Sequence, residues 1–252
     1  MRNNEYKYAI ILSAGKGKRM KSTIPKVLHR LAGKSLIDWV IETLAPLKFE
    51  KIIIVVGFMR EQLIAHIESR WENLNIEFAI QDNLLGTADA VERALPILPK
   101  HGDVIVLCGD VPSITTKTLE KLFDFHISQN ASATILTAIV PNPFGYGRIL
   151  RNPDGSVESI VEQRDATDEQ SKINEINSGT YVFKIDDLCS VIDEIDNNNS
   201  QNEYYLTDAV QILNENGKKV SALTVDNFWE IEGVNSFEQL EKLERQYEKV
   251  SE

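Results

Sequence analysis

Cysteine is scarce in this chain of 252 residues, which contains only Cys108 and Cys189. These two residues have no spacing typical of a metal site and do not make a disulfide framework. Long apolar runs are also missing, since none approaches the roughly 20 residues that a membrane-spanning helix needs. Residues 1–5 lack the apolar core of a signal peptide. We therefore expect a cytoplasmic protein without a membrane partner.

Positive charge is also in deficit. The chain has 27 Lys and Arg residues against 38 Asp and Glu residues, which gives a formal net charge of −11. This balance disfavours nucleic acids and anionic membranes as general partners. A local cluster of cations in such a background indicates a site for a small anionic ligand. The length is ample for a sizeable core and fits one large α/β domain or two small ones.

Short apolar runs alternate with helix-patterned segments in the first half of the chain. The predicted strands there are 8–12, 51–56, 76–80 and 104–107, and the predicted helices are 36–44, 61–68 and 88–95. Continuous β-branched runs such as 52–56 are typical of central parallel strands covered on both faces. The alternation predicts an α/β fold with a three-layer, doubly wound, mostly parallel and Rossmann-like sheet.

The second half is less regular. Residues 148–151 and 156–161 are joined by Asn-Pro-Asp-Gly and predict a small β-hairpin insertion. Two further strands at 131–140 and 179–185 and two helices at 206–213 and 236–250 complete the prediction. The last helix carries Phe237, Leu240 and Leu243 on one face, which we expect to pack back on the same domain.

A turn with two glycines, Gly15 and Gly17, follows the first predicted strand. Glycine allows the backbone to approach a phosphate chain closely, because no Cβ is in the way. The cations around the turn are Lys16, Lys18, Arg19 and Lys26. Together they indicate a polyphosphate ligand, whereas the glycine pair by itself is better explained by an ordinary strand-to-helix connection with solvated lysines.

Three familiar nucleotide motifs are absent. The dinucleotide-binding fingerprint needs a third glycine at position 20, which is Met20. A Walker loop needs a glycine five positions before the Gly-Lys-Ser at 33–35, and that position is Leu28. No Asp-x-Asp motif of the kind used by nucleotide-activated glycosyltransferases occurs in the sequence.

Two further predicted strands end in polar residues. Gln81 follows the third strand, and Gly86 and Thr87 precede a helix whose free N–H groups can receive a ligand oxygen. Asp110 follows the fourth strand and is well placed to hold a divalent cation near phosphates. Simpler explanations remain open: Thr87 can cap its helix with Gln81 merely exposed, and Asp110 can form a turn before Pro112. Since ligands bind at the carboxyl ends of the strands in open α/β sheets, we expect these residues at one edge.

The motifs occur together and in a fixed order, at residues 12–20, 25–29, 31–34, 85–88, 109–112, 145–149, 160–162, 165–170, 175–179, 203–208 and 232–235. In this combination the chain resembles the sugar-1-phosphate nucleotidyltransferases, and among them the N-acetylglucosamine-1-phosphate uridyltransferase domains of bifunctional bacterial enzymes. The resemblance covers residues 6–240. It implies a nucleotidyltransferase domain at 1–235, followed by a C-terminal helix at 236–252.

The resemblance also implies a site. Arg19 and Lys26 would be the catalytic residues that grip the UTP phosphates, and Asp110 and Asn235 would coordinate Mg²⁺. The residues implied to bind substrate are Leu12, Ser13, Ala14, Gly15, Lys26, Gln81, Gly86, Thr87, Cys108, Gly109, Asp110, Gly147, Glu162, Asn177 and Asn235.

Different members of that set would contact different parts of the substrates. Gln81 would recognise the edge of the uracil base. Gly147, Glu162 and Asn177 would contact the N-acetylglucosamine moiety, where a carboxylate accepts hydrogen bonds and an amide both donates and accepts.

The implied reaction forms UDP-N-acetylglucosamine and pyrophosphate from UTP and N-acetylglucosamine-1-phosphate by Mg²⁺-assisted in-line attack on the α-phosphate. The attacking phosphate oxygen is already an anion, so no general base is needed, and His29 in its apolar setting is expected to be structural. Two alternatives stay open: the same chemistry on another sugar-1-phosphate such as glucose-1-phosphate, or a regulatory module that binds a nucleotide sugar without turnover. No hexapeptide repeats are present, so acetyltransferase activity is not expected, and the oligomeric state stays open.

The sequence departs from the family pattern at a few positions. Lys18 stands where threonine is usual, Cys108 where tyrosine is usual, Asp89 where histidine is common and Ser113 where leucine is usual. We expect these positions to lie near the nucleotide and the sugar, so they bear on substrate preference.

Overall fold

The computed structural model describes residues 6–251, with the exception of the side chains of Lys18 and of residues 248–251. The predictions for residues 1–5 and for the Lys18 side chain therefore lie outside the described part. The strands are β1 (Lys7–Leu12), β2 (Arg30–Leu31), β3 (Lys34–Ser35), β4 (Lys51–Val56), β5 (Ile76–Ile80), β6 (Asp103–Cys108), β7 (Ala133–Ile139), β8 (Arg148–Arg151), β9 (Val157–Val161), β10 (Glu175–Lys184) and β11 (Val220–Thr224). The α-helices are α1 (Leu36–Leu44), α2 (Arg60–Arg70), α3 (Thr87–Ala94), α4 (Thr116–Gln129), α5 (Ile185–Val191), α6 (Asp208–Glu215) and α7 (Phe237–Ser251).

Nine of these strands form one sheet, whose main path is β11-β7-β10-β6-β1-β4-β5. The strands β6, β1, β4 and β5 are mutually parallel, and β7 and β11 are parallel to each other. Only β10 interrupts the parallel path, because it runs antiparallel to both β6 and β7. The mostly parallel sheet predicted from the sequence is confirmed.

Two layers of helices cover the sheet. One core cluster joins one face of the sheet to α3, α5 and α6, and a second joins the opposite face to α1, α2 and α4. The run Ile52–Val56 is buried throughout, as expected for a strand covered on both faces. The α/β, three-layer, doubly wound architecture is therefore confirmed.

The predicted hairpin is present as β8 and β9, which pair antiparallel. Its turn closes through a hydrogen bond from the Asn152 amide to the Ser156 carbonyl (2.9 Å), with Gly155 at a φ of 84°. The hairpin extends from the main sheet through a contact between β8 and β10.

Several predicted boundaries in the second half are wrong. The strand predicted at 179–185 begins at Glu175, and Ile185 already belongs to α5. A register shift between Asn177 and Tyr181, with Gly179 at a φ of 77°, interrupts the apolar pattern and hides the first residues of this strand from sequence reading. The sequence analysis also missed α4, α5 and β11.

The helix predicted at 206–213 begins two residues later, at Asp208. The amide of Leu206 instead donates to the hydroxyl of Thr87 at 2.9 Å, which holds this residue in a contact with another segment. The following helix, α7, returns to its own domain: Leu240 and Leu243 are buried in a small cluster with Met20, Leu31, Leu36 and Val234. No helix within residues 6–251 is long and apolar enough to cross a bilayer.

Candidate active site

The loops that follow β1, β5 and β6 meet at the carboxyl edge of the sheet. The Gly109 amide donates to the Leu12 carbonyl (3.0 Å), which joins the loop after β6 to the loop after β1. The Val234 amide donates to the Asp110 carbonyl (2.8 Å) and thereby brings Asn235 to the same edge from the far end of the domain. This convergence is the one expected for a ligand site in an open α/β sheet.

A cavity of about 430 Å³ opens at this edge. The residues that line it are Leu12, Ser13, Ala14, Gly15, Lys16, Gly17, Arg19, Lys26, Val27, Gln81, Leu84, Gly86, Thr87, Ala90, Cys108, Asp110, Glu203 and Asn235. Most of the site residues implied by the resemblance are therefore brought together. Gly109, Gly147, Glu162 and Asn177 are the ones that do not line this cavity.

The wall formed by residues 13–17 offers hydrogen-bond donors without partners. No described residue accepts a hydrogen bond from the main-chain amides of 14–17. The hydroxyl of Ser13 is buried and has no partner among the described residues. Gly17 has a φ of 55°, and a Cβ there would lie 2.9 Å from the Cβ of Lys26, so the turn packs closely on that lysine. Successive free amides beside cations are suited to phosphate oxygens.

Lys26 connects the two residues implied as metal ligands. Its ammonium forms an ion pair with the carboxylate of Asp110 and donates to the Asn235 side-chain oxygen at 3.1 Å. The side-chain oxygens of Asp110 and Asn235 therefore converge on one ammonium group, that of Lys26. Arg19, the other implied catalytic residue, is exposed and has no ion pair with any described residue.

Gln81 has a buried side chain, with an exposed fraction of 3%. Its amide nitrogen donates to the Gly86 carbonyl (3.0 Å) and to the carboxylate of Asp89 (2.6 Å). The alternative in which Gln81 is merely exposed is therefore wrong. The alternative in which Thr87 caps its helix is also wrong, because the N-cap of α3 is Gly86 and the Thr87 hydroxyl accepts from Leu206.

A second cavity of about 1020 Å³ adjoins the first, and Arg19 and Glu203 line both. Its other lining residues are Phe144, Gly145, Glu162, Gln163, Arg164, Ser200 and Gln201. Of the three residues implied to contact the sugar, Glu162 lines this cavity, and Gly147 and Asn177 lie next to Glu162. A Cβ on Gly147 would lie 3.5 Å from the Glu162 side-chain oxygen and 3.5 Å from the Cβ of Asn177.

Asn177 is held by internal hydrogen bonds. Its nitrogen donates to the Tyr181 hydroxyl (2.6 Å), and its oxygen accepts from the Gly179 amide (3.0 Å). Both polar ends thus have partners within β10, and the side chain is fixed beside Gly147.

Glu162, which lines the second cavity, has further carboxylates nearby. Burial raises the pKa of Glu162, and the carboxylates of Asp208 and Asp165 add to the effect. Burial also raises the pKa of Asp208 to about 6, together with the negative charges of Asp196 and Asp165. A carboxyl group with a raised pKa is well suited to hydrogen bonding with uncharged hydroxyls.

Cys108 and His29 are unsuited to catalysis by their surroundings. Desolvation and the charge of Asp110 raise the pKa of the Cys108 thiol to about 12, so it stays a neutral thiol at pH 7. Burial lowers the pKa of His29, whose ring packs edge-on against Phe237 at 5.2 Å between centroids. His29 lines neither cavity, which agrees with the structural role expected for it.

The remaining departures from the family pattern occupy different places. Asp89 does not line the cavity but lies behind Gln81. Ser113 faces α7, where its hydroxyl is 3.3 Å from that of Tyr247. The expectation that all four departures surround the ligands is thus wrong for Ser113, because the chain turns towards α7 after Pro112.

Sequence analysis missed some of the lining residues, most notably Glu203, which lines both cavities. Glu203 is the first residue of the motif at 203–208, which carries part of the resemblance. That motif could have pointed to Glu203, but no role was assigned to it. Phe144, Gln163 and Arg164 had no signal in the sequence, because they come together only through the fold of the hairpin and the loops beside it.

Comparisons with known proteins agree with this geometry. A family model described as Nucleotidyl transferase matches residues 8–247. A protein of Lactococcus lactis subsp. lactis (strain IL1403) called "Bifunctional protein GlmU" is 47% identical over 230 residues, which cover 91% of this chain and 49% of the relative. A protein of the same name from Clostridium novyi (strain NT) is 48% identical over 240 residues, covering 95% and 52%. The chain thus spans about half the length of the curated relatives it matches.

A solved structure also matches: a UDP-glucose pyrophosphorylase complexed with UDP-glucose has a TM-score of 0.76 and 18% identity, and the match covers 97% of this chain and 99% of that one. At this identity the likeness shows the fold alone. The family model, by contrast, spans both cavities and nearly every strand of the sheet. This chain belongs to the nucleotidyl transferase family.

Proposed function

We propose that the chain joins UTP to N-acetylglucosamine-1-phosphate and releases pyrophosphate, so that UDP-N-acetylglucosamine is the product. The observation that carries this proposal is the pair of contiguous cavities with Arg19 at their boundary. One cavity has free amides and cations suited to a triphosphate, and the other has carboxyl groups suited to sugar hydroxyls. The resemblance of the sequence to N-acetylglucosamine-1-phosphate uridyltransferase domains supports the choice of product. A cytosolic location is part of the proposal.

The nucleotide would lie in the first cavity. Gln81 would meet the base, and the amides of 14–17 together with Lys26 would meet the phosphates, since all of these residues line this cavity. The sugar phosphate would lie in the second cavity, with its hydroxyls towards Glu162 and its phosphate towards Arg19. The attacking oxygen and the α-phosphorus then meet at the boundary of the two.

The residues present fit Mg²⁺ that arrives with the nucleotide. Asp110 and Asn235 supply two hard oxygen atoms that already converge on one cation, the ammonium of Lys26. No group of three or more His, Cys, Asp or Glu side chains able to hold a metal occurs in the described part of the chain. Two protein oxygens plus phosphate oxygens are what Mg²⁺ ordinarily takes. When bound, the ion supplies charge neutralisation at the phosphates.

The reaction balances without proton transfer. An oxygen of the sugar phosphate forms a bond to the α-phosphorus, and the bond from that phosphorus to the oxygen bridging the β-phosphate breaks. Pyrophosphate leaves with the electron pair. Arg19 and Lys26 neutralise the negative charge that accumulates on the phosphates, so the protein contributes positioning and electrostatic stabilisation.

The test is pyrophosphate release with UTP and Mg²⁺, comparing N-acetylglucosamine-1-phosphate, glucose-1-phosphate and glucosamine-1-phosphate. We expect release with the first to be the fastest by kcat/KM. Faster release with glucose-1-phosphate would reassign the sugar, and binding of UDP-N-acetylglucosamine without release from any of the three would indicate the non-catalytic module. Glu162→Gln is the matched variant for the sugar, and it should raise KM for the sugar phosphate more than KM for UTP.

A further inference from the structure

Asp89 and Arg93 form a support behind Gln81, in which Asp89 is buried and Arg93 has a side chain that is 46% exposed. Asp89 is 5% exposed, and its two carboxylate oxygens have different partners. One accepts from the Arg93 guanidinium at 2.7 Å and 3.2 Å, and the other accepts from the Gln81 amide nitrogen at 2.6 Å. Each carboxylate oxygen therefore accepts from one residue, Oδ1 from two nitrogens of Arg93 and Oδ2 from Gln81.

This arrangement fixes which end of the Gln81 amide faces the ligand. A carboxylate and a backbone carbonyl can only accept hydrogen bonds, so both hydrogens of the Gln81 nitrogen are directed at Asp89 and at Gly86. The Gln81 oxygen accepts no hydrogen bond from any described residue, while the side chain lines the nucleotide cavity. Gln81 thus presents an acceptor and no donor to a base.

We propose that Asp89 is a positioning residue that makes the site selective for uracil over cytosine, by holding the Gln81 oxygen towards N3 of the base. Uracil carries a hydrogen at N3 and satisfies that oxygen, whereas N3 of cytosine is itself an acceptor and repels it. The inference rests on the proposed function, because it takes a pyrimidine nucleotide as the ligand of this cavity.

The residue type at position 89 matters because a neutral amide has one oxygen instead of two. In Asp89→Asn, Arg93 and Gln81 compete for that oxygen, and the charged guanidinium forms the stronger hydrogen bond. The nitrogen of the substituted side chain then faces Gln81 and opposes the native orientation of its amide, which only the Gly86 carbonyl still supports, so the reversed amide becomes more populated.

The experiment measures kcat/KM for UTP and for CTP, with saturating sugar phosphate, in the wild type and in Asp89→Asn. We expect the UTP/CTP ratio to fall about tenfold, mainly through a higher KM for UTP, as for loss of one specific hydrogen bond. An unchanged ratio in a variant whose thermal unfolding matches the wild type overturns the inference. Glu92→Gln is the matched control, because Glu92 lies 3.6 Å from Arg93 and outside the hydrogen bonds of Gln81.

A double variant separates positioning from a merely structural role. In Asp89→Asn with Arg93→Met the competing donor is gone, so the side-chain oxygen at position 89 is free to accept from Gln81 and the UTP/CTP ratio should return to within about threefold of the wild type. A structural role predicts further loss instead, and that result refutes the inference. If the wild type releases no pyrophosphate, the proposed function fails; the same ratio measured as equilibrium dissociation constants for UTP and CTP then decides the inference separately.

Discussion

Gly86→Ala tests which contacts hold the first cavity, the one lined by Gly86 and Gln81, in its shape. Gly86 has φ 134° and ψ −178°, a region that only glycine occupies readily. A Cβ at this position would lie 2.3 Å from the Tyr204 carbonyl oxygen and 2.6 Å from the Tyr204 nitrogen. Both of those atoms are hydrogen-bonded to the Gly86 loop, through the Ala88 amide (2.9 Å) and the Leu85 carbonyl (2.8 Å).

The expected cost follows from these contacts. The backbone conformation costs about 1–3 kcal/mol for alanine, and loosening two backbone hydrogen bonds costs about 1 kcal/mol each. We therefore expect Gly86→Ala to lower the free energy of unfolding by about 4 kcal/mol. Gly86 lines the first cavity, so the same displacement should also raise KM for UTP.

Urea unfolding followed by circular dichroism measures the stability, and Gly155→Ala is the control. Gly155 has a φ of 84° in the hairpin turn, but nothing lies within 4 Å of an added Cβ, so it reports the conformational cost without the clash. If the decreases in the free energy of unfolding of the two variants differ by less than about 1 kcal/mol, the clash with Tyr204 does not contribute to the cost and the reasoning is refuted.

Two further predictions concern charge. Under the proposed function, Lys26→Met should lower kcat about a hundredfold to a thousandfold, because it removes a cation proposed to contact the phosphates and leaves Asp110 unpaired. Steady-state pyrophosphate release measures the effect, and Lys117→Met, which makes the same charge change at an exposed position of α4, should have no effect. Asp208→Asn should stabilise the fold by about 2 kcal/mol at pH 8 and not at all below pH 4, as urea unfolding at the two pH values would measure. The pKa of Asp208 is raised to about 6, so the folded state binds that proton more tightly and loses stability as the pH rises through 6. An equal gain at both pH values would contradict this assignment.

The parts of the fold that local patterns encode were predictable. The β1 strand and its glycine turn could be predicted because a buried parallel strand is a continuous apolar run, and the turn after it needs residues without a Cβ. The hairpin of β8 and β9 was equally clear, since its turn residues stand directly between its strands. The helix α4 was missed despite its Thr115 cap, which accepts from the Thr118 amide: its amphipathic pattern was not recognised.

The parts of the site that depend on contacts between distant segments were not predictable from residue patterns. Glu203 reaches the cavities because the Tyr204 backbone is joined to the loop at Gly86, and no spacing in the sequence encodes that contact. Asn235 reaches Asp110 through the Val234 amide, and only the family resemblance anticipated it. Such contacts follow from the topology of the sheet as a whole.

The ion pair between Lys26 and Asp110 affects how strongly a metal ion and a nucleotide favour each other's binding. With the Lys26 ammonium on both Asp110 and Asn235, the carboxylate of Asp110 is already paired in the free protein. Under the proposed function, a divalent ion at Asp110 and Asn235 would have to displace that ammonium, and the phosphate oxygens would offer the ammonium a new anionic partner. Metal and nucleotide binding should therefore be mutually favourable, because each relieves the cost that the other incurs at Lys26.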